Sequence, residues 1–156
     1  MLTNKQKLLA RLAAGTAADA IAAGAEAVNA AAERVRWPYA PPGHQSSVYQ
    51  NKAVEADACQ AVVDAAGTPV ADDYPYLKAE IGINGVDVAA VAAAVIAKRD
   101  LWLGVIDPAI EGTRQALQKQ LEALNPADAA NVATARQIAA DAQRDIEAAV
   151  AAALGI

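Results

Sequence analysis

The sequence predicts an all-α protein, with long amphipathic helices in an elongated bundle and a C-terminal helical hairpin. Three observations predict it. Alanine fills 44 of the 156 positions and phenylalanine none, and alanine is the strongest helix former because its side chain loses no entropy on ordering. Apolar residues recur every seven positions near both ends of the chain, the spacing of helices that pair along a seam. With only two tryptophans and four tyrosines, ring surface is scarce, so helix axes are expected to approach more closely than the usual ~8–10 Å. Methyl faces bury little area, and at ~25 cal/mol per Å² they stabilise less than leucine faces. Long seams, or neighbouring subunits, are expected to make up the difference.

The first helix is expected from Asn4 to Arg36. Ala14, Ile21, Val28 and Val35 form one heptad row, Ala18, Ala25 and Ala32 its companion, and Leu8, Leu9 and Leu12 add a more apolar patch. Gly15 and Gly24 would each cost about 1 kcal/mol in a helix interior, so each marks a close crossing or a bend. The helix should stop at Trp37, because Pro38 restricts the residue before it, and Trp37 to Gln45 reads as an extended connector around Pro41-Pro42-Gly43. A second helix should open on a serine cap at Ser46 or Ser47 and run to Ala66, with Gly67 and Pro69 ending it.

Asp72 to Leu77 suits a short helical turn, and Gly82, Asn84 and Gly85 a tight loop. Asp87 is the natural cap of the next helix. Its stripe, Val88, Val91, Val95, Trp102 and Val105, meets Asp107-Pro108, a cap-plus-proline pair that predicts a kink or break. Ile110, Leu117, Leu121 and Leu124 continue the stripe, and Asn125-Pro126 repeats the device. Val132, Ala139, Ile146 and Ala153 then repeat every seven residues beside Ala135, Ala142 and Ala149. The expected hairpin is Asp87–Leu124 against Ala127–Leu154. Composition divides the chain into residues 1–70 and 71–156, with a hinge near Val70–Tyr74.

Several function classes are disfavoured. Thirteen basic against eighteen acidic residues give a charge of −5, with no basic run to follow a phosphate backbone, so no nucleic-acid partner is expected. No stretch reads as a membrane span or a secretory signal, so a soluble, non-exported product is expected. Cys59 and His44 are each the only residue of their type, which leaves no cysteine-based metal spacing, and no cofactor or metal is expected. His44 beside Ser46 lacks an orienting acid and an oxyanion frame among its loop-forming neighbours. Cys59 reads as a small core residue, and Asp72-Asp73 and Asp141–Glu147 as solvated faces. Trp37, Tyr39, His44 and Trp102 are the candidate partner-docking residues, since amphipathic rings beside a proline-rich segment suit an interface. The candidate self-association seam is Ala14, Ile21, Val28 and Val35 with Val132, Ala139 and Ile146.

The middle of the chain carries a resemblance. Val48-Tyr49-Gln50-Asn51-Lys52-Ala53-Val54-Glu55-Ala56, then Asp73-Tyr74-Pro75-Tyr76-Leu77-Lys78-Ala79-Glu80-Ile81-Gly82-Ile83-Asn84-Gly85, then Val91 to Val95, Trp102, Ile110-Glu111 and Arg114 resemble small alanine-rich bacteriophage proteins encoded among tail and tail-fibre genes. It covers roughly residues 43–120; the long first helix and Asp107-Pro108 depart from the pattern. The resemblance implies a non-enzymatic tail or tail-fibre component, made in the host cytoplasm and located in the virion; the heptad rows are expected to hold copies together as a homo-oligomer, and the Trp37–Ser47 connector to dock on other tail or fibre proteins. The alternative it leaves is a tail-fibre assembly chaperone absent from the mature virion. It carries over no catalytic residues.

Overall fold

In the computed structural model, Thr3, Gln6 and residues 15–39 and 44–156 are described. The described chain is all-α: α1 (Ala17–Arg36), α2 (His44–Asp64), a 3-10 turn (Ala71–Asp73), α3 (Pro75–Lys78), α4 (Val88–Leu101), a π-helical turn (Trp102–Ile106), α5 (Asp107–Glu122) and α6 (Asn131–Leu154). It divides into two compact units. The terminal unit comprises residues 1–38 and 105–156, and the inserted unit residues 39–104. Val70–Tyr74, where composition suggests a hinge, lies inside the inserted unit.

The terminal unit is a three-helix bundle of α1, α5 and α6, each packed on the other two. Pairs along α1 and α5 run in opposite senses: Arg36 meets Asp107, Asn29 meets Arg114, and Ala25 meets Gln118. Those along α1 and α6 run in the same sense, with Arg34 beside Gln143 and Gly24 beside Ala135. The two alanine-rich ends of the chain therefore lie parallel, and each covers the other's apolar stripe. Val28, Val35 and Ile146 are buried in this way, while Ile21, Val132 and Ala139 are half-buried. The three buried members of the expected self-association seam thus pack within one chain. Ala14 lies outside the described residues, as do Leu8, Leu9 and Leu12.

Because α1 touches helices on two sides, its buried stripe is wide: Ala17, Ala20, Ala23, Gly24, Val28, Ala31, Ala32 and Val35. Of the expected companion row, Ala32 is buried, Ala25 half-buried and Ala18 exposed, while their neighbours Ala17, Gly24 and Ala31 are all buried. Of the two glycines considered for a close crossing, Gly24 is the one. A Cβ there would fall 2.9 Å from Leu121 Cδ2 and 3.4 Å from the Ala135 carbonyl oxygen, so the hydrogen side chain is what lets α5 and α6 approach together. Gly15 instead precedes the start of α1. Thr16 takes extended angles and its hydroxyl oxygen accepts the Asp19 amide, while the same hydroxyl donates to the Asp19 carboxylate. This reciprocal cap opens α1 at Ala17, inside the run expected to be one helix from Asn4.

At the first proline signal the α-helical pattern breaks as expected but without the expected cap, and at the second the helix starts later than expected. Asp107 does not cap a helix; helical residues continue from Val88 through Glu122, and the π turn Trp102–Ile106 takes up the disturbance of Pro108, which has no amide hydrogen to donate. The Asp107 carboxylate is occupied elsewhere, accepting from Arg36 Nε at 2.9 Å. At the second signal, Asn125 Oδ1 accepts from the Ala127 amide and Asp128 Oδ1 from the Ala130 amide. These side chains close turns two residues ahead, so α6 begins at Asn131, four residues later than expected. The C-terminal hairpin is accordingly α5 against α6. The first half of the expected long arm, α4, packs in the inserted unit.

The inserted unit packs α2 on α4, with the 3-10 turn and α3 lying alongside. Its core is Ala56, Cys59, Tyr74, Leu77, Val88, Val91 and Ala92. α2 opens at His44, before the serines proposed as caps. It ends at Asp64, with the Gly67 amide donating to the Val62 carbonyl and the Ala66 amide to the Val63 carbonyl. That pattern places Ala66, not the expected Gly67, in the left-handed region at φ 57°. The same motif closes α6 with Gly155 at φ 74°. Trp37 caps α1 and Asp87 caps α4 through the Ala90 amide, both as the sequence indicates.

Candidate functional site

The segment Tyr74–Gly85, the most distinctive stretch of the sequence, is built onto α2 by polar contacts. Pro75 opens α3, and a helix start leaves amides without internal partners. Glu55 on α2 supplies them: its Oε2 accepts the Tyr76 amide at 2.9 Å and the Leu77 amide at 3.1 Å. One turn earlier, Lys52 forms an ion pair with Glu80, and its ammonium lies 5.4 Å from the Tyr49 ring centre. Asn51 donates to the Tyr76 hydroxyl and Asn84 to the Glu80 carboxylate. Burial works against the charge of Glu80, but the hydrogen bonds from Lys52 and Asn84 outweigh it and hold its pKa below the usual range.

The glycine loop follows from these anchors. Gly82 sits at φ +84°, and its amide donates to the Gly85 carbonyl at 2.7 Å. A Cβ on Gly85 would lie 2.6 Å from the Val91 amide nitrogen, so the loop rests directly on the first turn of α4. It leaves Ile83 and Val86 78% and 87% exposed. Sequence reasoning did not single out these two aliphatics as surface groups. The signal is present nonetheless, because apolar side chains inside a glycine turn have no helix face to enter.

The four expected docking residues fall into three situations. Trp37 is 61% exposed and lines a shallow depression with Glu33 and Arg34. Tyr39 and Trp102 stack on each other, ring centres 6.0 Å apart and planes inclined by 23°, so each ring covers part of the other. The side chain of His44 and the connector residues 40–43 lie outside the described residues. Exposed large apolar residues are concentrated in the inserted unit: ten of the twelve among the described residues belong to it, with only Trp37 and Ile156 in the terminal unit.

Charge is distributed as unevenly as apolar surface. The inserted unit carries four Lys and Arg against eight Asp and Glu, a balance of −4, and the rest of the chain nine against ten. Arg99 pairs with Asp57 through contacts of 2.7 and 2.8 Å, and Lys78 pairs with Asp72. In the terminal unit, Arg36 bridges Glu33, Asp107 and Glu111, and Arg114 binds Glu111 and Asn29. Hydrogen bonds from Arg114, Gln115 and Arg36 hold the Glu111 carboxyl far below the usual carboxylate range. The acidic stretch near Asp141 is paired along its own helix, with Arg144 between Asp141 and Asp145.

These contacts tie together elements within each unit. Cys59 is buried, and burial followed by the charge of Asp87 raises its thiol pKa, which suppresses the thiolate needed for nucleophilic or metal-binding chemistry. Among the described residues, no group of three or more His, Cys, Asp and Glu could hold a metal ion. No helix among them is long and apolar enough to cross a membrane. No family model, curated protein or solved structure matches the chain.

Proposed function

We propose that this protein is a non-enzymatic structural component of a bacteriophage tail or tail-fibre apparatus, resident in the virion after synthesis in the host cytoplasm, and that it works by docking on other virion proteins. The observation carrying the docking part is the contrast in exposure: the terminal unit closes its apolar stripes internally, while the inserted unit displays Tyr49, Tyr76, Ile83 and Val86. Exposed apolar and aromatic side chains on a rigid frame are the usual ingredients of an interface. The tail assignment is supported by the resemblance of residues 43–120. Within that stretch, Lys52, Glu55, Tyr76 and Glu80 form the frame that presents the loop.

Copies of the chain would associate through surfaces other than Val28, Val35 and Ile146, which the chain buries itself. Mass spectrometry of purified particles tests the virion assignment. Peptides of this chain at stoichiometric yield would support it. Presence in infected cells with absence from mature particles would replace it with an assembly chaperone that shields fibre ends and then leaves.

A further inference from the structure

Where α2 ends and α4 begins, the inserted unit presents three exposed aliphatic side chains: Val63, Val70 and Val86, 38%, 58% and 87% exposed. Several contacts bring these segments to one end of the unit. The Cys59 thiol donates to the Val88 carbonyl at 3.8 Å, and Cys59, Tyr74 and Val88 share one buried cluster with Ala71 packed against it. Asp87 lies close enough to Cys59, and Asp73 to Tyr74, for their charges to act on those groups.

Each valine has a carboxylate within three positions of it in the sequence. Asp64 follows Val63, Asp72 and Asp73 follow Val70, and Asp87 follows Val86. Lys78 neutralises Asp72. Asp64 accepts only from the uncharged Gln60 side chain, Asp87 is the cap of α4, and among the described residues no cation pairs with Asp64, Asp73 or Asp87. The α2 C-terminus adds partial negative charge from its aligned peptide dipoles.

We propose that this end of the inserted unit is a docking surface for a cationic, apolar protein segment, a short stretch in which Lys or Arg alternates with aliphatic side chains. Electrostatic complementarity chooses that occupant. A second copy would bring the same carboxylates face to face in a chain of net charge −5, and an anionic lipid surface or a nucleic acid would be repelled in the same way. The valines supply apolar area for the partner's aliphatic groups, and the unpaired carboxylates set its sign and register. This names the partner chemistry for the docking function proposed above and rests on that reading.

The test is fluorescence-anisotropy titration of the full chain with a labelled amphipathic peptide of alternating Leu and Lys, and with its Leu and Glu counterpart. The Leu/Lys peptide is expected to bind, more weakly as salt rises. Val63→Ser with Val86→Ser, and separately Asp64→Asn with Asp73→Asn, should each weaken binding about tenfold or more, a loss of about 1.4 kcal/mol. Circular dichroism checks that the variants remain folded, and Ile156→Ser in the terminal unit should leave affinity unchanged. Equal binding by all variants, or equal binding of the Glu peptide, would overturn the proposal. So would self-association that the valine changes abolish. Particle composition is read independently, so the protein could be absent from virions while this affinity stands, or present while it fails.

Discussion

The two units solve the same packing problem with different materials. The terminal unit uses many small side chains: α1 buries five alanines, a glycine and two valines, and Leu121 fills the space above Gly24. The inserted unit has a smaller core, Tyr74, Leu77 and Val91 with Ala56, Cys59 and Ala92, and ties its short elements down with Glu55 on backbone amides and Lys52 on Glu80. A methyl seam needs length and a matching seam, and the chain provides both by bringing its own ends together. The inserted unit's smaller core leaves more of its large apolar residues exposed.

Truncating one core residue in each unit separates them most sharply. Leu77→Ala and Leu121→Ala, both at fully buried positions, should each cost about 2–5 kcal/mol. Amide exchange should rise mainly within residues 39–104 for the first and within α1, α5 and α6 for the second. Identical patterns for both variants would show that the units unfold together and would weaken the comparison.

Gly24→Val probes the seam itself. Its side chain would meet Leu121 and the Ala135 carbonyl, and overpacking of that kind costs about 1–3 kcal/mol. Gly112 is its control, since a Cβ there meets nothing within 4 Å. Gly112→Ala should raise the melting temperature by gaining up to about 1 kcal/mol of helix propensity. A neutral Gly24→Val would mean that α5 and α6 do not close on that residue.

In the inserted unit, Ala66 holds a left-handed conformation that Gly155 holds at the end of α6. Ala66→Gly should relieve strain of about 1–2 kcal/mol. The added freedom of the unfolded chain offsets part of that, leaving a small rise in melting temperature. A fall would contradict the left-handed assignment.

The smallest effect is on pH dependence in the terminal unit. Hydrogen bonds from Arg114, Gln115 and Arg36 lower the folded-state pKa of Glu111. Its contribution is thus fully present above the ordinary value near ~4.3 and is lost as pH falls below it toward the depressed folded value. Glu111→Gln should flatten the pH dependence of stability in that acid window. An unchanged profile in denaturant titrations at several pH values would remove Glu111 from the network.

Local chemistry made much of the fold legible. Pro38 after Trp37, Asp87 before an alanine run and the Gly82–Gly85 punctuation each produce the expected feature, because each acts within a few residues. The errors arise where distant groups intervene. Asp107-Pro108 reads as a capped helix start, and α5 does begin there, but Arg36, 71 residues away in sequence, takes the carboxylate, so Asp107 is not the cap. The Thr16 cap is written in the sequence as a threonine three residues before an aspartate, yet lies among strong helix formers. Heptad spacing shows that a stripe must be covered, though not by which helix. The proposed docking surface is less legible: aromatic residues single out Trp37, Tyr39 and Trp102, whereas the exposed valines and Ile83 depend on which faces the core leaves open.

Pairing of the two alanine-rich ends within one chain is the central claim, and proximity of Arg34 to Gln143, 2.9 Å between side-chain atoms, allows a direct test. Arg34→Cys and Gln143→Cys can be introduced together and treated with a short bis-maleimide, with the products separated by mass. Joining within single chains, undiminished on dilution, is expected. Products that are mainly linked pairs of chains, lost on dilution, would contradict it and return these stripes to contact between copies.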